Sequence, residues 1–163
     1  MSLPILTGLL APVLLLLTAA ALMARPGPRP GALPRLAEAA AAATLALALI
    51  GLVALLATGP AAIATGDGAF ALALRADAIS ATMTVLVAFI GWIVMRYARS
   101  YMDGEPREGR FHALMLGTLA AVLVLVQSGS LATMVLAFAA IGIVLRQLLL
   151  FYPERPAARR AAT

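Results

Sequence analysis

Cysteine and lysine are both absent from this 163-residue chain, and histidine occurs once, at His112. The first absence excludes thiolate metal sites, thiol catalysis and disulfides. A single imidazole excludes a cluster of histidine ligands, so no metal site is expected. Charge is scarce: 12% of residues are charged and 63% are hydrophobic. A soluble domain carries about twice that charge. Mean hydropathy is +1.02. Such a composition belongs in a membrane, and the length allows about five spanning helices. The net charge of +5 is carried by arginine alone. The pI of 11.1 would suit nucleic acid. The arginines, however, flank apolar runs and form no patch with aromatics, so no nucleic-acid partner is expected. Nothing marks a nucleotide, flavin, haem or quinone site. No cofactor and no catalytic residue are assigned, and the chain by itself does not read as an enzyme.

What is present is a series of five apolar runs. They are expected to be helices over about 3–24, 36–58, 78–97, 111–127 and 131–152, with a tail at 153–163. The fold class is an all-α integral membrane protein, with 1–163 as one transmembrane domain. Pro4 sits in the first turn of run one, where a missing N–H costs nothing. Pro12 is internal and predicts a kink, which membrane helices tolerate. The N-terminus carries no basic residue and the arginines follow the run, the reverse of a secretory signal, so a retained helix is expected. Arg25 to Arg35 holds four prolines in eleven residues and reads as a loop. Glu38 lies in the first turns of run two beside Arg35. Ala40, Thr44 and Ala48 repeat at four-residue spacing, which permits close helix contact, although alanine is abundant throughout.

The longest connection runs from Gly59 to Asp77. Gly66-Asp67-Gly68 signals a turn, and Phe70, Leu72 and Leu74 alternate with alanines. This predicts a short hairpin on the membrane surface between helices 2 and 3. Asp77 is placed to cap helix 3. Ser80, Thr82 and Thr84 are expected to bond their own backbone carbonyls, and Trp92 and Tyr97 to approach the membrane interface. The segment from Ala98 to Arg110 alternates charge and reads as a solvated turn. Arg99, Asp103, Glu105 and Arg110 are its candidate loop contacts. Asp103 with Glu105 would be a formal carboxylate pair, but nothing in the sequence buries them. His112 at a helix end reads as an interfacial residue.

Ten of the twelve arginines fall on one side of a five-helix arrangement, Arg75 falls on the other, and Arg146 lies within helix 5. Short loops with such an excess face the cytoplasm. The N-terminus is therefore expected outside and the C-terminus inside, in a multi-pass protein of the cell inner membrane.

Asp77-Ala78-Ile79-Ser80 with Met83, then Tyr97, Tyr101-Met102-Asp103-Gly104-Glu105 and Arg110-Phe111 with Met115, form an ordered set. It resembles the antiporter-like membrane subunits, which include the L subunit (chain 5) of NADH-quinone oxidoreductase. The resemblance covers roughly Arg75 to Tyr152. In the respiratory branch helix 5 carries a tryptophan-glutamate pair on the proton path, and the matching positions here look like Phe138-Ala139. The end, Gln147-Leu148-Leu149 and Phe151-Tyr152-Pro153-Glu154-Arg155-Pro156, looks closer to a second branch. That branch is the membrane subunit of the DAB-type inorganic-carbon transporter, which is paired with a large zinc-dependent soluble subunit. Members of the branch typically carry histidine where this chain has Arg146.

The resemblance implies further helices and buried lysines that this sequence lacks. The chain is then the N-terminal portion of an ion-coupled, proton-translocating-type membrane subunit, or a reduced paralogue. Inorganic-carbon transport is its first expected role. A chain 5-like respiratory subunit is the alternative, and a non-transporting helical scaffold a third. Its expected partners are membrane lipid and other membrane or soluble subunits. Arg146 is the candidate intramembrane functional residue. Twelve strongly apolar side chains in Leu131–Tyr152 favour insertion by about 4 to 7 kcal/mol, against about 3 kcal/mol for one arginine. Insertion therefore wins. The guanidinium either snorkels toward the cytoplasm or faces a partner.

Overall fold

The structure, a computed structural model, describes residues 2–24, 33–66 and 71–151. It contains α1 (Leu3–Met23), α2 (Leu33–Thr58), β1 (Ala61–Thr65), β2 (Leu72–Ala76), α3 (Ala78–Tyr101), α4 (Glu108–Val126) and α5 (Leu131–Leu149). All five helices are long and apolar enough to cross a membrane. At 1.5 Å per residue the shortest, 19 residues, is about 28 Å long, close to the thickness of a hydrocarbon core.

Several boundaries differ from those read in the sequence. Helix α2 starts three residues early, because Pro34 falls in its first turn, where proline's fixed φ suits a helix and its missing N–H is not needed. Helix α3 runs four residues past Tyr97 to Tyr101, and α4 begins at Glu108 instead of Phe111. The polar turn therefore shrinks to 102–107, closed by Gly104 at φ +84°, a backbone region that glycine enters without strain. Helix α5 ends at Leu149, and Phe151 folds back to 3% exposure. The expected end at Tyr152 and the tail at 153–163 lie outside the described residues. Helix α1 passes through Pro12 without a break.

Helix α1 packs against α2 and α4, α2 packs against α3, and α4 packs against α5. The core lies where the first, second and fourth helices meet. Ala11, Leu15, Ala19 and Leu22 face Ala37, Ala40 and Ala41, together with Leu116, Ala120 and Leu123. Small residues line this seam, so backbones come close. Ala40, Thr44 and Ala48 are all buried. A Cβ on Gly51 would stand 2.6 Å from Thr7 Oγ1, and one on Gly8 would overlap Gln127 Oε1. Large apolar side chains point outward instead: Leu17 is 66% exposed, Val53 66% and Leu56 80%. A surface of that kind is stable against lipid and not against water.

The connection between α2 and α3 is an antiparallel strand pair, with Ala61 opposite Ala76 and Thr65 opposite Leu72. Of the expected turn, Asp67 and Gly68 lie outside the described residues, as does Phe70 of the alternation that follows it. Strand β2 is also held by the turn between α4 and α5. Arg75 N–H donates to the Gln127 carbonyl at 2.8 Å, and Gly129 N–H to the Ala73 carbonyl at 2.7 Å. Ala73 N–H in turn donates to Thr133 Oγ1 at 2.9 Å. Gly129 is close enough that a Cβ there would meet Ala73 at 3.2 Å.

Candidate functional site: charged groups at one end of the bundle

The two ends of the bundle differ in chemistry. At the strand end, Asp77 is the N-cap of α3. Its Oδ1 accepts the Ser80 N–H at 2.8 Å, and Ser80 Oγ accepts the Asp77 N–H at 2.9 Å. This reciprocal pair satisfies two backbone donors that the first turn leaves open. The Ser80 N–H bond is the main reason the Asp77 carboxyl is held below its ordinary range, with Arg75 assisting. Arg75 Nε lies 3.4 Å from Asp77 Oδ2. Thr82 and Thr84 donate back to the Ala78 and Ser80 carbonyls at 2.7 Å. Ser80 breaks the expected pattern: it serves the cap and donates toward the Arg75 and Asp77 carbonyls. A cavity of about 30 Å³ between Thr7, Gly51, Ser80 and Gln127 has room for little more than one water-sized guest.

The other end gathers the arginines. Arg99, in the last turn of α3, pairs with Glu38 in the first turns of α2. Glu38 thus bonds across helices instead of facing headgroups beside Arg35. Arg107 places its guanidinium 4.7 Å from the centre of the Phe151 ring, and Phe111 meets Phe151 edge-on at 5.5 Å. These contacts pin the end of α5 onto the start of α4. Tyr97 and Tyr101 stack at 5.7 Å on the exposed side of α3, a position suited to interfacial rings. Asp103 is exposed, whereas Glu105 and Arg110 are half-buried. Glu105 acts through its backbone, its N–H donating to Met102 and its carbonyl accepting from Glu108.

Arg146 is exposed and lies in the last turn of α5, three residues before the helix ends. There it meets the negative pole of the helix dipole. Phe138 and Ala139, the positions matched to the family's tryptophan-glutamate pair, both point out of the bundle.

Two residues here were misjudged from sequence. His112, read as an interfacial side chain, is enclosed inside the bundle: it is 0% exposed. Glu108, which the solvated-turn reading left unremarked, is 2% exposed. His112 Nε2 lies 3.8 Å from Glu108 Oε1. The available signal was the i, i+4 spacing, which places a carboxylate and an imidazole on one helix face. Among the described residues, no three of His, Asp and Glu gather so as to hold a metal ion.

Comparison with known proteins gives this geometry a family context. Residues 63–112 match the family described as NADH-ubiquinone oxidoreductase (complex I), chain 5 N-terminus. The match runs from β1 through the Asp77 cap and α3 to His112. A probable inorganic carbon transporter subunit, DabB2 of Halothiobacillus neapolitanus, is 35% identical over 100 residues, covering 61% of this chain and 18% of the relative. The DabB subunit of Hydrogenovibrio crunogenus is 34% identical over 85 residues, covering 52% of this chain and 16% of the relative. DabB1 of H. neapolitanus is 40% identical over 76 residues, covering 47% and 14% respectively. The chain thus spans less than a fifth of the length of the curated relatives it matches. Both branches of the resemblance read from the sequence are found: the complex I chain 5 N-terminus and the DabB subunits. With five apolar helices, this is a multi-pass membrane protein similar to subunits of larger complexes.

Proposed function

We propose that this chain is the N-terminal membrane module of an ion-coupled inorganic-carbon transport complex. The observation that carries this reading is the 34–40% identity to three DabB subunits over 76 to 100 residues. The module is a single domain over 1–163 in the cell inner membrane, with its N-terminus outside and its C-terminus in the cytoplasm. The charge distribution supports that orientation. Arg35, Arg96, Arg99, Arg107, Arg110 and Arg146 all lie near helix ends on the side away from the strands, whereas Arg75 lies within β2. Basic residues near the ends of spanning helices stay cytoplasmic. The strand pair then rests at the outer surface.

On this reading the module transports nothing alone. Other helices and a large soluble zinc-dependent subunit complete the machine. Arg146, exposed on α5, with Arg99 at the end of α3, Asp103 and Glu105 in the turn and Arg110 at the start of α4, form the face that such a partner meets. The second reading, a subunit of an NADH-quinone oxidoreductase, draws on the family match over 63–112.

Purification of the tagged chain from its native membrane separates the readings. A co-purifying soluble protein that contains zinc, with uptake of labelled bicarbonate or CO2 lost on deletion, supports the first. Recovery with NADH-oxidising subunits and loss of quinone reduction would replace it with the second. Recovery alone, with neither activity changed, would leave a structural scaffold.

A further inference from the structure

Two titratable side chains are enclosed at the arginine-rich end, and the transport reading uses neither. His112 and Glu108 are 0% and 2% exposed. They stand one turn apart on α4, with Nε2 3.8 Å from Oε1. That separation is within ion-pair range and beyond a hydrogen bond. Among the described residues, neither ring nitrogen of His112 has a hydrogen-bond partner. An imidazole always carries at least one N–H, so every tautomer buries a donor without an acceptor, a cost that an apolar side chain would avoid.

Among the described residues, the elements around α4 bring few other charged groups near that proton. Of the elements packed against α4, α1 carries no charged residue, α2 carries Arg35 and Glu38, α3 carries Arg96 and Arg99, and α5 carries Arg146. Glu38 is already bonded to Arg99. The Phe111 ring stands edge-on to His112 at 5.9 Å. The preceding turn adds Asp103, Glu105 and Arg107. Among the described residues, Glu108 is the carboxylate within ion-pair range of the ring. In the opposite direction, Glu108 Oε2 accepts the Gly104 N–H at 3.3 Å. Gly104 is exposed, so the carboxylate links the buried ring to the turn where this end of the bundle meets water.

We propose that Glu108 and His112 form a proton-binding site within α4, holding one proton between carboxylate and imidazole and exchanging it through the turn at Gly104. A closure of about 1 Å turns their contact into a charge-assisted hydrogen bond. Two such groups, near each other and out of water, titrate as a pair and not independently. The site does not depend on the transport reading, since it rests only on the geometry of α4 and its neighbours.

The chain's single histidine makes the test direct. The 163-residue chain, labelled with ¹⁵N and reconstituted in lipid nanodiscs, gives one imidazole spin system, which is followed from about pH 4.5 to 9 around the ordinary histidine range. The comparison is Glu108→Gln, a near-isosteric change that keeps an acceptor for the Gly104 N–H. The expected result is a displaced His112 titration, by at least about threefold in proton affinity. Superimposable curves, or a ring held in one neutral tautomer over the whole range, overturn the proposal. Should Glu108→Gln fail to fold, the ¹³C carboxyl resonance of Glu108 in His112→Phe supplies the second measurement. A displaced carboxyl titration supports the pair, and an unchanged one overturns it.

Discussion

Arg99 and Glu38 join the last turn of α3 to the first turns of α2, and they do so unequally. The Arg99 side chain is 42% exposed and that of Glu38 only 15%. Removing the arginine strands a largely buried carboxylate, whereas removing the glutamate frees an arginine that already reaches water. Arg99→Ala is therefore expected to destabilise the protein more than Glu38→Ala, by about 1 kcal/mol or more. A double-mutant cycle read by denaturant unfolding in mixed micelles checks this. Equal losses from the two single changes would remove the asymmetry.

The Asp77 cap gives a pH dependence of known sign. Its folded carboxyl is held below the ordinary value of 3.8, first by the Ser80 N–H. Stability from the anion is therefore fully present above that ordinary value and is lost as pH falls through the lower, folded one. Asp77→Ala is expected to cost about 1 kcal/mol near neutral pH. Asp77→Asn keeps an accepting oxygen and is expected to cost less, while abolishing the acid-side dependence. Thermal melts of the three proteins between about pH 3 and 7 in lipid nanodiscs decide the matter.

Close backbone approach predicts which glycines resist substitution. Gly51→Ala drives a methyl against the short, buried Thr7 hydroxyl, which is already committed to the Leu3 and Pro4 carbonyls. A loss of about 1–3 kcal/mol is expected. Gly8→Ala meets the far end of Gln127, a longer and more flexible side chain beside the small cavity, and is expected to cost less. If Gly51→Ala melts at the wild-type temperature, the α1–α2 seam is looser than described.

Arg146→Leu is expected to leave insertion intact, since it replaces a charged side chain near the helix end with an apolar one. On the proposed function it also lowers recovery of the partner subunits. Glycosylation mapping reads the first effect and quantitative pull-down the second. Unchanged recovery would assign Arg146 to the lipid interface alone.

Much of this fold was legible before any coordinates. Apolar runs of about twenty residues leave few alternatives to spanning helices, and all five runs are helical. Boundaries were misjudged where a local rule was applied too broadly. Pro34 breaks a helix interior but fits a first turn, and the charges of 98–110 hid helical ends on both sides. The alternation through Leu72 and Leu74 pointed to β2, but its partner, Ala61 to Thr65, is mostly alanine and carries no strand signal. The same masking concealed Glu108. A carboxylate between two arginines looks solvated in sequence, and only the packing of α4 against its neighbours shows that it is enclosed.

One further consequence follows from the bonds between β2 and the turn joining α4 to α5. Because Ala73 and Arg75 tie that turn to the strands, the links between the second and third spans and between the fourth and fifth are fastened together. The opposite end has no comparable backbone fastening among its described residues, only side-chain contacts such as Arg99 with Glu38 and Arg107 with Phe151. Any relative motion of these helices therefore pivots about the strands and has its greatest amplitude at the arginine-rich end, where Glu108 and His112 are enclosed.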